Sequence, residues 1–146
     1  MITIEFAKQE HLEGIHLVEL ESFSIPWSKY DLQKDIFENA ISIYVVALDS
    51  ETVVGYAGMW HVVTEGHITN LAVKENYRQQ GVASRLVERL IAIAEEKEMI
   101  GLTLECRISN TKAQRLYKKH GFEHEGLRKK YYSDTGEDAT IMWKHF

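Results

Sequence analysis

Cysteine is all but missing: Cys106 is the only one in 146 residues. That excludes an intrachain disulfide and a thiolate metal cluster, and it suits a reducing compartment. Basic charge is in deficit. The 17 Lys and Arg face 22 Asp and Glu, for a net charge of -5, a balance unsuited to tight non-specific nucleic-acid binding. Long hydrophobic runs are lacking, and the apolar stretches are too short to cross a bilayer. The start, Met-Ile-Thr-Ile-Glu-Phe-Ala-Lys, has no basic-then-apolar secretory plan. His61, His67, His120 and His124 show no metal-ligand spacing such as His-Glu-x-x-His, so no metal is expected. No repeat, low-complexity tract or linker divides the chain. With 45% hydrophobic and 27% charged residues, the expectation is one cytoplasmic globular domain over residues 1–146, without direct nucleic-acid or membrane contact.

What is present reads as a mixed α/β chain. Ile2, Ile4 and Phe6 alternate with polar residues and predict a short strand. Leu12, Ile15 and Val18 recur at helical spacing, predicting a helix to about Glu21. The single proline, Pro26, biases Ile25 away from helical angles. Ser28 then caps a second helix with Asp31 at N3, and Tyr30, Ile36 and Phe37 are its expected buried side. Ile41–Leu48, Val53–Val63 and Ile68–Val73 predict an antiparallel meander, with Gly55 and Gly58 marking a bulge or close approach. A helix from Gly81 to about Lys97 carries Val82, Leu86, Leu90 and Ile93 on one stripe. Leu102–Cys106 predicts a central strand, and Asn110 or Ser109 caps a helix Thr111–His120 closed by Gly121. Glu123–Tyr131 and Asp138–Met142 complete the strands, with Ser133–Gly136 as the turn between them.

The most informative stretch is Tyr77-Arg-Gln-Gln-Gly-Val-Ala83, between a strand and a long amphipathic helix. A basic, glycine-containing turn that opens a helix suits an anion, because the first helical N–H groups have no intrahelical partner. Glu105 is an acid near the end of an apolar strand. It reads either as a carboxylate paired with Arg107 or as a general base. Tyr117 reads either as a core tyrosine or as a phenol that gives a proton in a cleft. Asn110 is explained by capping, with a contact to a ligand carbonyl as the alternative. Cys106 reads as a small buried hydrophobe. Trp27 and Tyr131-Tyr132 stand in loops, where aromatics either close the core or mark recognition surfaces.

Together these segments resemble the GNAT superfamily of N-acetyltransferases over nearly the whole chain. The acetyl-coenzyme A motif of that family, Gln or Arg, two variable residues, Gly, one variable residue, then Gly or Ala, is matched by Arg78-Gln-Gln-Gly81-Val-Ala83. The second signature is matched by Glu105-Cys-Arg-Ile-Ser-Asn110 with Leu116-Tyr117 and Gly121-Phe122. Within the superfamily, Pro26-Trp27-Ser28, Tyr131-Tyr132 and Gly136-Glu-Asp-Ala139 resemble the bacterial ribosomal-protein alanine N-acetyltransferases. Lys130 departs from that pattern, which often has Asn before the two tyrosines. Gln80 departs too, where many members carry Arg beside the glycine.

The resemblance implies a GNAT-like fold: a central, mostly antiparallel sheet, splayed between its fourth and fifth strands and flanked by helices. It implies acetyl-CoA as cosubstrate, held by Leu71, Ala72, Val73, Arg78, Gln79, Gln80, Gly81, Val82, Ala83, Asn110 and Tyr117. The Val73 N–H would face the thioester carbonyl. Glu105 would be the base, directly or through water, and Tyr117 the acid, with direct attack through a tetrahedral intermediate. Trp27, Tyr131 and Tyr132 would wall the acceptor. The implied partner is the N-terminus of a small-subunit ribosomal protein beginning with alanine, and the implied state a monomer or weak homo-oligomer. Other protein N-termini or a small amine stay open as acceptors, as does a non-catalytic coenzyme A-binding module.

Overall fold

Period-two and period-3.6 patterning resolve into seven strands and four α-helices in the computed structural model, which describes residues 1–146. In chain order these are β1 (Ile2–Phe6), α1 (Leu12–Ser22), α2 (Lys29–Gln33), β2 (Ser42–Asp49), β3 (Thr52–Val62) and β4 (Glu65–Val73). They continue with α3 (Val82–Glu96), β5 (Gly101–Arg107), α4 (Thr111–Lys119), β6 (Glu123–Arg128) and β7 (Ala139–His145). The sheet order is β1-β2-β3-β4-β5-β7-β6. Every pair is antiparallel except β4 with β5, which the crossover through α3 makes parallel. No helix is long and apolar enough to cross a membrane.

The parallel pair is short and positions everything that follows. It holds only Glu65–His67 against Gly101–Thr103. Thr69 is then an extra residue on β4, since Met59 pairs with Ile68 while Gly58 pairs with Asn70. Such a bulge bends and twists its strand. Beyond it β4 follows β3 alone and β5 follows β7 alone. This is the splay that the family resemblance implies.

Strand alternation divides the core between the two sheet faces. Val45 and Ala47 of β2 join Leu86, Leu90, Leu102 and Met142 under α3. Tyr44, Val46 and Leu48 join Leu12, Ile15, Val18, Leu32 and Tyr56 under α1 and α2. The α3 stripe lands as its spacing predicts, with Val82, Leu86, Leu90 and Ile93 buried. Leu86 and Leu90 are fully buried, each stabilising by roughly 1.5–3 kcal/mol relative to exposure. The glycines of β3 mark both expected features. Val54 is an extra residue beside Gly55, and a Cβ on Gly58 would lie 2.3 Å from the Tyr44 ring.

Three expectations are corrected. Tyr30 is 67% exposed, and Leu32 and Asp35 take the buried side with Ile36 and Phe37 partly covered. The cause is a π turn over Lys34–Glu38, which rotates the phase of the helix. Ser28 does cap α2 by accepting from the Asp31 N–H at 3.1 Å, but only that half of the capping box forms. β6 also stops at Arg128 rather than at Tyr131, and Lys130 adopts φ 52°, a left-handed angle that no strand continues through. Tyr131 and Tyr132 therefore stand in the loop before β7.

Candidate active site

The splay opens a cleft of about 870 Å³ between β4 and β5. The loop Phe23–Trp27 borders it on one side, and Tyr131–Asp134 on the other. Of the residues singled out by sequence, Trp27, Leu71, Glu105, Asn110, Tyr117, Tyr131 and Tyr132 all line it.

The backbone of β4 is set by its pairing. Gly55 and Val73 form a non-hydrogen-bonded pair, because the Lys74 N–H donates to the Val54 carbonyl at 2.8 Å. The polar groups of Val73, and of Leu71 two residues earlier, therefore point away from β3 into the splay. Arg78 Nε donates to the Val73 carbonyl at 2.9 Å, and the Val73 N–H has no acceptor in the chain. Ala72 has the opposite phase. Its polar groups face β3 and its side chain is buried under α1, so it offers nothing to the splay.

The turn after β4 is a row of free donors. Gln79 has φ 62° and Gly81 φ 82°. The first backbone bond of the helix is Arg85 N–H to the Gly81 carbonyl at 3.1 Å, and no backbone carbonyl accepts from the N–H groups of Gln79 through Ser84. A Cβ on Gly81 would meet nothing within 4 Å, so the cradle is open. Free amides at the N-terminus of the 15-residue α3 fit an anionic phosphate. Gln80 is tied to the Asn76 carbonyl at 2.9 Å. The donors here are thus the amides from Gln79 to Ala83, with Arg78 bracing the end of β4.

Glu105 projects from β5 into the cleft, its side chain 29% exposed, and its Oε1 pairs with Arg128 Nε at 3.2 Å. This corrects the expected pairing with Arg107, which turns instead to Asp134 at 2.8 Å and Glu137 at 3.6 Å. Tyr117 comes from α4, is 6% exposed, and packs edge-on against Phe122 with ring centroids 5.4 Å apart. Burial, then Cys106 and Tyr132 nearby, push its phenol well above the usual tyrosine range, so it stays protonated at neutral pH. Burial, then Glu137, push the Cys106 thiol up to about 11. Its Sγ leans on the Asn110 carbonyl at 3.8 Å, and a protonated thiol is no nucleophile. The Asn110 side chain accepts from the Ala113 N–H at 3.1 Å and caps α4.

The two bordering loops are held by groups that sequence reasoning missed. Glu19, 2% exposed, accepts from the Trp27 N–H at 2.8 Å and from the Tyr56 hydroxyl. Its signal was an acid in phase with Leu12, Ile15 and Ser22 on the buried side of α1. Asn70, also facing the cleft, accepts from the Tyr44 hydroxyl at 3.1 Å. That hydroxyl has one proton, which the shorter contact, to the buried Asp35 at 2.5 Å, shares with Asn70 in a bifurcated bond. On the other side Arg107 lies 4.0 Å from the Tyr132 ring centroid and Arg128 lies 5.8 Å from that of Tyr131. The two tyrosines meet edge-on at 5.1 Å.

Comparison with known proteins agrees with this geometry. The model of the acetyltransferase (GNAT) family matches residues 8–122. A chain of Bacillus subtilis (strain 168), provisionally named a ribosomal protein bS18-alanine N-acetyltransferase, is 40% identical over 134 residues, 92% of this chain and 89% of that one. The ribosomal protein bS18-alanine N-acetyltransferase of Escherichia coli (strain K12) is 30% identical over 144 residues, covering 97% and 96%. The crystal structure of the ribosomal-protein-S18-alanine N-acetyltransferase from Escherichia coli superposes with a TM-score of 0.91 at 28% identity, covering 99% of this chain and 94% of that one.

Proposed function

The chain belongs to the acetyltransferase (GNAT) family, and we propose that its acceptor is the α-amine of a protein N-terminus, in particular the N-terminal alanine of ribosomal protein bS18. It is an acetyl-CoA-dependent N-acetyltransferase; what belongs to the proposal is the acceptor and the role of each residue. The observation that carries the reading is one cleft lined by both Glu105 and Tyr117, with loops rather than a strand or helix at its acceptor side. An extended chain end has room to enter between such loops.

Acetyl-CoA brings an activated thioester, and the free amides from Gln79 to Ala83 suit its phosphates. Leu71 and Val73 present backbone groups to the splay, where an extended ligand arm can run beside β4. The Val73 N–H is a fixed donor for charge that develops on a carbonyl oxygen, and such preorganised donors stabilise it most where water is excluded. Glu105 takes the proton of the acceptor ammonium. An α-amine has a pKa of about 7.7–8.0, so a carboxylate acting through water suffices near neutral pH. The freed amine attacks the thioester carbon. As the C–S bond breaks, Tyr117, protonated and facing the cleft, supplies a proton to the departing thiolate and is restored by the proton that the new amide nitrogen loses. Trp27, Tyr131 and Tyr132 wall the acceptor, and holding the amine in place contributes at least as much as the acid. A bS18 N-terminus is the favoured acceptor because the relatives of 40% and 30% identity carry that name over nearly their full length.

Coenzyme A release tests the reading. Peptides beginning with the bS18 sequence, the same peptides with a blocked amine, unrelated N-termini and polyamines are compared. Release with the free alanine peptide and none with its blocked form is expected. Equal rates on polyamines would move the acceptor to small amines. Binding of coenzyme A without release across the panel would favour a non-catalytic module.

A further inference from the structure

We propose that Arg107 is a positioning residue for the acceptor, holding the Tyr131–Tyr132 wall to the end of β5. The inference rests on the reading of those tyrosines as the acceptor wall. Arg107 is the last residue of β5 and shares a strand face with Glu105, two residues before it. Its guanidinium reaches four groups of one loop. Nη2 donates to Asp134 Oδ2 at 2.8 Å, and Nη1 donates to Thr135 Oγ1 at 3.3 Å and lies 3.6 Å from Glu137 Oε1. Its Cζ lies 4.0 Å from the centroid of the Tyr132 ring.

The loop also closes on itself. The Gly136 N–H donates to the Tyr132 carbonyl at 2.8 Å, and the Tyr132 N–H donates to the Glu137 carbonyl at 3.1 Å. Glu137 Oε2 accepts from the Ser109 N–H at 2.7 Å. The loop is tied to the end of β5 both through the Ser109 N–H and through the Arg107 guanidinium, and of these two only the guanidinium stacks on the wall itself, at the Tyr132 ring against which Tyr131 packs. Arginine suits the task for a physical reason. Its edge presents several donors to carboxylates while its face stacks on a ring, and lysine supplies only the charge. The side chains of Arg107, Asp134 and Glu137 are 31%, 20% and 18% exposed, so this network is only partly screened by water.

The test uses the full chain with steady-state kinetics, varying the alanine peptide and acetyl-CoA separately, for Arg107→Gln, Arg107→Lys and Asp134→Asn. Loss of one charge-assisted hydrogen bond corresponds to about a tenfold change in an equilibrium constant. With partial solvent screening, the peptide KM should rise about fivefold in Arg107→Gln and in Asp134→Asn. The KM for acetyl-CoA should stay within about twofold of wild type, a ratio well below that expected for one lost charged bond. Arg107→Lys should fall between, and a double variant combining Arg107→Gln with Asp134→Asn should be no worse than Arg107→Gln, since one network is broken once. Trypsin should also cut faster after Lys129 and Lys130. An unmoved peptide KM overturns the proposal, as does a parallel rise in both KM values, which marks general loss of packing. Paired variants Tyr131→Ala and Tyr132→Ala separate the two levels. If they leave the peptide KM unmoved, the wall itself is misassigned. If they raise it while Arg107→Gln does not, only the role of Arg107 falls.

Discussion

Glu19→Gln isolates the contact that holds the acceptor-side loop. The wild-type carboxylate is 2% exposed and has one donor on each oxygen, the Trp27 N–H at 2.8 Å and the Tyr56 hydroxyl. An amide has only one oxygen. If that oxygen keeps the Trp27 N–H, the new NH2 donates to the Tyr56 oxygen, and the Tyr56 proton loses its acceptor. If the amide turns the other way, its NH2 confronts the Trp27 N–H. Each arrangement loses a charge-assisted bond and leaves a buried donor without a partner, a cost of about 2 kcal/mol. For a chain of this size that lowers the melting temperature by about 4–8 °C. Glu19→Ala removes both acceptors and opens a void, so it should melt lower still. Thermal denaturation by circular dichroism reads the stability, and the peptide KM reads the displacement of Trp27. Melting of both variants within about 1 °C of wild type, well under the shift worked out above, would refute the reasoning, because a buried carboxylate tying two elements cannot be neutral to remove.

Gly58→Ala places a Cβ 2.3 Å from the Tyr44 ring and must displace it from Asp35 and Asn70; a loss of about 2–4 kcal/mol in urea unfolding is expected from overpacking and broken bonds. Glu105→Gln should keep coenzyme A binding by calorimetry, yet turn over at least about 100-fold more slowly near neutral pH. The deficit should narrow as pH rises past the acceptor pKa of about 8, when the amine needs no base. Tyr117→Phe should lower turnover with a melting temperature close to wild type, because the packing on Phe122 is retained. An alkaline titration followed by phenolate absorbance tests the buried tyrosines. Burial first raises Tyr44, Tyr56 and Tyr117 above the unfolded value of about 10. Their contribution to stability is therefore full below about pH 10 and is lost as pH climbs toward their folded values. These three phenolates should appear only together with the unfolding step.

Local signals were legible in the sequence. Arg78-Gln-Gln-Gly81-Val-Ala83 reads as an anion turn because its function depends on backbone amides and a positive φ, properties set within a few residues. The α3 stripe and the Asn110 cap are equally local. What escaped depends on residues far apart in the chain. Glu105 and Arg107 are near neighbours, yet Glu105 meets Arg128 across β7, and Arg107 meets the loop beyond it. Glu19 is not singled out by the sequence, because the Tyr56 hydroxyl that justifies its burial lies 37 residues away. Tyr30 was misplaced because a π turn inserts a phase shift that no 3.6-residue pattern encodes.

The central claim is tested most directly by locating the transferred acetyl group. Purified bS18 with a free N-terminal alanine, unrelated N-terminal peptides and polyamines would be incubated with acetyl-CoA and the enzyme, and the products mapped by mass spectrometry. The account predicts one acetyl group, on the alanine α-amine of bS18, absent with Glu105→Gln over the same interval. Acetylation confined to polyamines or to lysine side chains, with the alanine left free, would contradict it.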